Sequence, residues 1–226
     1  MRTQIWLSYL VSAILVVLLL NLFGSIMAAS LAKLHLSQAA AALIGAAIIA
    51  GGLINIPVAR VEHTGEAAEN PLAIFGLDEV FPQMCRTRRE TIIAVNVGGC
   101  VIPVGLALYE FSYLAALGSG LPWRVGAAIL VNVAVCYLLA RPVPKLGIAM
   151  PGIVPPLVAV VTALLLAPAE APPVAYIAGV LGPLIGADLL HLKDIDKIAT
   201  TGIASIGGAG TFDGIVLSGI AAAYLA

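Results

Sequence analysis

Ile5–Met27 reads IWLSYLVSAILVVLLLNLFGSIM, an apolar run with no charged residue in it. A helix rises about 1.5 Å per residue, so about 20 such residues cross the roughly 30 Å of hydrocarbon in a bilayer. Met1-Arg2 ahead of it and Ala28-Ala29-Ser30 behind it give the outline of a secretion signal. Signal cores run only about 7–15 residues, however, and this run is longer. We therefore read a retained membrane helix. Six more apolar runs follow: Ala39–Val58, Ile92–Phe111, Trp123–Ala140, Pro151–Ala167, Pro173–Leu190 and Phe212–Leu225. The expected fold is all-α: a polytopic transmembrane bundle of about seven helices with re-entrant or broken segments. It forms one integral-membrane domain over residues 1–226, with a cytoplasmic loop over residues 60–91.

Composition agrees. Hydrophobic residues make up 61% of the chain and charged residues 10%, against about 25% charged in a soluble domain. There is too little polar surface to cover a water-soluble fold, and lipid removes that need. A net charge of -1 with no basic run excludes a nucleic-acid partner. Cys85, Cys100 and Cys136 are irregularly spaced and odd in number, so no disulfide framework is expected. No Cys/His spacing suits zinc, His35, His63 and His191 form no HExxH, and no glycine loop carries a phosphate-binding lysine. Ser205 has no GxSxG elbow around it. No metal or cofactor is expected, and the partners are the bilayer and a membrane peptide or small solute.

Basic residues set the orientation. With the amino terminus inside, seven spans place Arg2, Arg60, Arg86, Arg88, Arg89, Arg141, Lys145, Lys193 and Lys197 on the cytoplasmic side. Only Lys33 and Arg124 of the 11 lie on the other. This asymmetry predicts amino terminus in and carboxyl terminus out. The long Arg60–Thr91 loop contains Pro71–Phe81, whose apolar spacing predicts a short amphipathic helix on the membrane surface.

Polar groups inside apolar spans are the functional candidates, because each needs an internal partner. Asp188 ends the sixth span just after Pro183, and Gly179, Gly182 and Gly186 share one helical face there. Asp213 opens the seventh span behind Gly207-Gly208-Ala209-Gly210. We read Ile203–Thr211 as irregular backbone dipping into the membrane, and Asp213 is also well placed to cap the helix it begins. Asn96 precedes Gly98-Gly99, Asn55 precedes Pro57, and Gly152 lies in the proline-rich turn Pro151–Pro156. By the topology all of these fall toward the cytoplasmic half. The expected site is one polar cavity open to the cytoplasm. Asp188 and Asp213 are its reactive acids, and Asn55, Asn96, Gly152, Gly208 and Gly210 its substrate-binding positions.

Asn96–Pro103, Arg141–Pro156, Leu184–Leu190 and Ala204–Gly214 together resemble a prokaryotic membrane family known as domain of unknown function 1614, over roughly residues 40–226. The resemblance implies a prokaryotic inner membrane and no established activity. The layout is also similar to presenilins and signal peptide peptidases, which carry catalytic aspartates on their sixth and seventh helices and a proline-rich turn nearby. Their Gly-x-Gly-Asp pattern reads here as Gly210-Thr211-Phe212-Asp213, keeping the first glycine only. That layout implies intramembrane aspartyl proteolysis by Asp188 and Asp213. Two other roles fit the same residues. One is a proton- or sodium-coupled solute transporter, which inverted repeats relating Asn96–Gly99 to Gly207–Gly210 would favour. The other is a membrane scaffold, in which glycines and prolines serve packing alone.

The orientation is open to direct measurement. A reporter enzyme active only outside the cytoplasm should be active when fused after Ala226 and inactive when inserted within 64–88. The reverse pattern would invert the topology.

Overall fold

A computed structural model describes residues 2–63, 89–143, 147–194 and 202–226. It contains seven α-helices among the described residues: α1 (Arg2–Leu31), α2 (Gln38–Gly51), α3 (Ile102–Leu117), α4 (Leu121–Leu139), α5 (Val154–Leu166), α6 (Ala171–Gly182) and α7 (Gly214–Leu225). Two of them are extended by π-helical turns, Val97–Val101 before α3 and Pro183–Leu189 after α6. Four stretches are long and apolar enough to cross a membrane: Tyr9–Leu31, Val97–Leu117, Leu121–Leu139 and Pro168–Leu189. The chain is a helical membrane protein.

Chemistry at the helix ends explains where they start. The Ser37 hydroxyl accepts the Ala40 N–H at 3.2 Å and caps α2. Prolines open α3, α4, α5 and α6, where the missing N–H would have had no partner anyway. At Pro183 the same lack falls inside a helix. It removes an N–H the preceding turn would have used, and the helix widens into its π turn there.

Helix α6 is the centre. Val174–Val180 is buried throughout, and the helix packs against α3, α4, α5 and α7. Its small residues set the spacing. A side chain on Gly179 would strike the Ser218–Gly219 backbone of α7, whereas Gly182 and Gly186 lie against Asn132 and Val133–Cys136 of α4. The glycine face is thus a wedge between two neighbours rather than one contact. Helix α1 packs against α7 and α2. Phe23 meets Phe212 with ring centroids 5.2 Å apart, and Ser30 Oγ donates to the Ile220 carbonyl at 2.9 Å. Its large residues from Tyr9 to Leu22 are exposed, as befits a helix facing lipid.

Two expected helical spans turn out to be part strand. Residues 52–58 leave the helix after Gly51, and Asn55–His63 forms strand β1. Arg89–Asn96 forms β2, so the third span begins extended and becomes helical only at Val97. The expected irregular stretch after Ile203 starts as strand β5 (Gly202–Ile206). The order is β1-β2-β5, with β1 antiparallel to β2 and β2 parallel to β5. Apolarity marks residues that avoid water, not their conformation. Here Gly51-Gly52 stops the helix, and β-branched Ile54, Ile56, Val58, Ile92 and Ile93 suit a sheet. Sheet pairing satisfies the backbone that the helix gives up. A small hairpin, β3 (Arg141–Val143) with β4 (Gly147–Ala149), links α4 to α5. The expected surface helix Pro71–Phe81 lies outside the described residues.

The glycines at the sheet end make close backbone contacts with one another. Gly98 lies on the Ile48–Gly52 backbone, Gly99 on Gly207, and Gly210 on Gly52. Gly207 and Gly210 also have positive φ values of 71° and 59°, which only glycine adopts cheaply. Gly105 and Gly126 have open space around them. We expect Gly99→Ala and Gly207→Ala each to cost about 1–3 kcal/mol from overpacking. Gly105→Ala and Gly126→Ala should change stability by no more than about 1 kcal/mol, in the stabilising direction. Reversible unfolding in mixed micelles measures both.

Candidate functional site

The site is built where α2 ends and α3 and α7 begin. Asn96 is its keystone and is wholly buried. Its Nδ2 donates to the Gly52 carbonyl at 2.9 Å and to Asn55 Oδ1 at 3.1 Å. Its Oδ1 accepts the Gly99 N–H at 2.7 Å, capping the π turn. Asn55 Oδ1 also accepts the Ser205 hydroxyl at 2.6 Å. One amide therefore fastens the end of α2, the start of α3 and, through Asn55, strand β5. Asn96 spends its amide on holding the backbone together. Asn55 is exposed, and no hydrogen bond from its amide nitrogen is found among the described residues.

Asp213 sits at the head of α7. Its Oδ1 accepts the Ile215 N–H at 3.0 Å and its Oδ2 accepts the Ala209 N–H at 3.3 Å. The carboxylate caps the helix and closes the glycine turn in front of it. Asp188 differs. It is half-buried on the π turn that follows α6, and no hydrogen bond to it is found among the described residues.

The packing sets their relative height. Gly179 of α6 lies against Gly219 of α7. From that level Asp188 is nine residues onward and Asp213 six residues back, toward the same end of the bundle, or about 13 Å and 9 Å at the helical rise. The two acids are close enough to interact electrostatically, and Cys100 lies within reach of both. Asp188 and Asp213 thus stand at one end, with Asn55, Asn96, Gly208 and Gly210 around the adjoining crossing. Gly210 is buried against Gly52, while Gly208 is exposed and lies on Ser205. Gly152 is exposed, with nothing within 4 Å of the place its side chain would fill, so it does not pack into this crossing. The turn it belongs to opens α5.

The parallel pairing of β2 with β5 answers the symmetry question. Each strand runs into a glycine-rich turn and then a helix, α3 or α7, in the same sense. The likeness between Asn96–Gly99 and Gly207–Gly210 is therefore a parallel one, not an inverted one.

The model of the family described as a protein of unknown function, DUF1614, matches residues 48–225. The chain belongs to the DUF1614 family. No curated protein and no solved structure matches it. The DUF1614 match takes in α3 to α7, all the strands and both acids, and leaves out α1 and most of α2. Helix α1 thus lies outside the matched residues.

One set of buried polar residues escaped the sequence reading. Glu110, wholly buried, meets His35 at the opposite end of the bundle, and Asn132 bonds the Ala178 carbonyl at 2.8 Å inside α4–α6. Glu110 is the one acid within the expected span Ile92–Phe111, and Asn132 lies inside Trp123–Ala140. Their positions inside apolar runs were the available signal.

Asp213→Ala should cost about 1 kcal/mol through loss of the cap, whereas Asp213→Asn keeps a good capping side chain and should cost only a few tenths. Asp188→Asn should leave stability unchanged within about 0.5 kcal/mol, since no hydrogen bond is lost. Unfolding of the three variants in micelles gives the order.

Proposed function

We propose that this DUF1614 protein is an intramembrane hydrolase of the aspartyl type, with Asp188 and Asp213 as its acid pair. The observation that carries the reading is that two carboxyl groups from consecutive helices stand at the same end of the bundle, about 13 Å and 9 Å along their helices from the level where Gly179 meets Gly219. Two such groups do not both ionise cheaply and share a proton. Asp213, held by two backbone N–H groups, is the positioned acceptor. Asp188, to which no hydrogen bond is found among the described residues, carries the shared proton. The ionised carboxylate takes a proton from water as that water attacks a peptide carbonyl. The protonated one polarises the carbonyl oxygen.

Two features favour an extended peptide as substrate. Gly179 stands near the middle of the Pro168–Leu189 span and against Gly219, and Asp213 is six residues from that level, about 9 Å, less than half of the roughly 30 Å of hydrocarbon. Helix α1, level with Phe212 at Phe23, continues apolar through Leu22 to Tyr9, which carries lipid-facing surface past Asp213. The acids then lie below the membrane surface, reached from the cytoplasmic side along the sheet. Strand β5 is at the sheet's edge among the described residues and leads through the glycine turn to Asp213. A backbone edge at that depth needs a partner or water, and an extended chain pairing there would arrive at the acids.

A second reading, proton- or sodium-coupled transport, is favoured by the two π breaks, Val97–Val101 and Pro183–Leu189. Such breaks free backbone carbonyls for ions and solutes.

The two readings part on one experiment. Purified protein is reconstituted in liposomes with a membrane-spanning peptide, alongside Asp188→Asn and Asp213→Asn. The hydrolase reading expects peptide cleavage that falls by at least about 100-fold in each variant, with both still folded. Proton or sodium flux lost in the variants, with no cleavage by the native protein, would replace it with transport. Native function in cells carrying both substitutions would end both.

A further inference from the structure

Asp188 lies inside a short segment whose two ends are tied to each other. Gly186-Ala187-Asp188-Leu189-Leu190-His191 runs through the second π turn and just past it. In a π turn each carbonyl accepts the N–H five residues on, and here the Leu190 N–H reaches the Ile185 carbonyl at 3.0 Å. The next carbonyl, that of Gly186, is met by a side chain: His191 Nδ1 lies 3.1 Å from it. A carbonyl can only accept, so Nδ1 carries the hydrogen and donates. The imidazole thus adds one rung to the ladder at the same spacing of five.

Both ends of the segment also rest on one turn of α4. Gly186 lies on the Val133 carbonyl, the Cys136 side chain and the Tyr137 nitrogen, with no room for a side chain of its own. The His191 ring is buried and meets the Tyr137 ring with centroids 4.9 Å apart. Lys193 holds that ring in turn. Its Nζ donates to the Tyr137 hydroxyl at 3.2 Å and stands 5.4 Å from the ring centroid.

We propose that His191 is the positioning residue for Asp188. The proposal rests on the hydrolase reading above, in which the Asp188 carboxyl has to stand beside the carbonyl oxygen it polarises. No hydrogen bond to Asp188 is found among the described residues, so its place is set through the backbone that carries it. That backbone is gripped two residues before the acid, at Gly186, and three residues after it, at His191. One hydrogen bond joins the two grips. A displacement of about 1 Å in a reacting group costs on the order of 100-fold in rate. The donor is the Nδ1–H, which a protonated ring also carries, so the tie does not depend on the charge of the ring.

The test compares the full native chain with His191→Asn, His191→Phe and Tyr137→Leu. Asn places an amide N–H near the position of Nδ1, whereas Phe keeps a ring on Tyr137 and has no donor. Amide exchange over residues 186–191 in micelles reads the tie directly, without any need for cleavage. It should quicken roughly fivefold or more in His191→Phe and stay near native in His191→Asn, with the thermal midpoint of both kept. In liposomes, cleavage of a membrane-spanning peptide by His191→Phe should lose roughly 10- to 100-fold in kcat with KM little changed, and His191→Asn should recover most of it. Tyr137 is exposed, so Tyr137→Leu takes away the support of the ring at little risk to folding. It should fall between the other two, and it covers the case in which His191→Phe does not fold. Native-like exchange in the folded variants that lack the donor or the support would overturn the tie. Quickened exchange with an unchanged kcat would overturn the positioning role. A native protein that cleaves nothing ends the hydrolase reading and the positioning role with it, and the exchange rates then decide the tie alone.

Discussion

Three glycine pairs from distant parts of the chain meet backbone to backbone, and the rest of the structure is arranged about that meeting. Gly51-Gly52 ends α2, Gly98-Gly99 begins the turn into α3, and Gly207 with Gly210 forms the approach to α7. No side chain fits between them. The carbonyls and N–H groups freed where three helices stop must still be satisfied, since lipid offers them nothing. Asn96 does much of this. Its amide is wholly buried and bonds Gly52, Asn55 and Gly99 at once. Strands β1, β2 and β5 take up the remaining backbone groups outward from the crossing. The crossing fixes the position of Asp213, because the Ala209 N–H that the carboxylate accepts belongs to the same turn.

Much of this was legible in the sequence, and the reasons differ by residue. The apolar runs, the alternating direction of the helices and the gathering of Asp188, Asp213, Asn55 and Asn96 at one end all follow from length and composition. Conformation within the runs did not follow. IIAGGLINIPVA reads as membrane span by hydropathy, yet helix yields to strand within it at Gly51-Gly52. The strand forms because Arg89–Asn96 comes to pair with it from far along the chain, and Gly202–Ile206 pairs in turn with Arg89–Asn96. Pairing over such separations is tertiary information that no local pattern carries. The role of Asn96 changes for the same reason. As a polar residue beside glycines in a span it reads as a binding group, and the structure engages its amide in holding neighbouring backbone.

Glu110 shows the opposite failure. It sits one residue from the end of an expected span, where a charged side chain reads as reaching for the interface. The structure buries it completely, because the α1–α2 link folds back over the middle of α3 and brings His35 onto it. The cost of an isolated buried carboxylate is several kcal/mol, so the link has to stay in place for α3 to keep its present surroundings. A short turn that looks like a connector is thereby made part of the bundle.

The bundle consequently has a polar cluster at each end of its central helix and packed small residues between. Helix α6 begins beside Glu170, is buried through Val174–Val180, and passes into the π turn that carries Asp188. Pro183 keeps it from reverting, and Gly182 and Gly186 leave it pressed on α4. Asp188 is thus carried on a π turn packed against α4, with no hydrogen bond to it among the described residues, while Asp213 is pinned by two backbone N–H groups. The two carboxyl groups at this end of the bundle therefore differ in how they are held, one by its own hydrogen bonds and one through the turn that carries it.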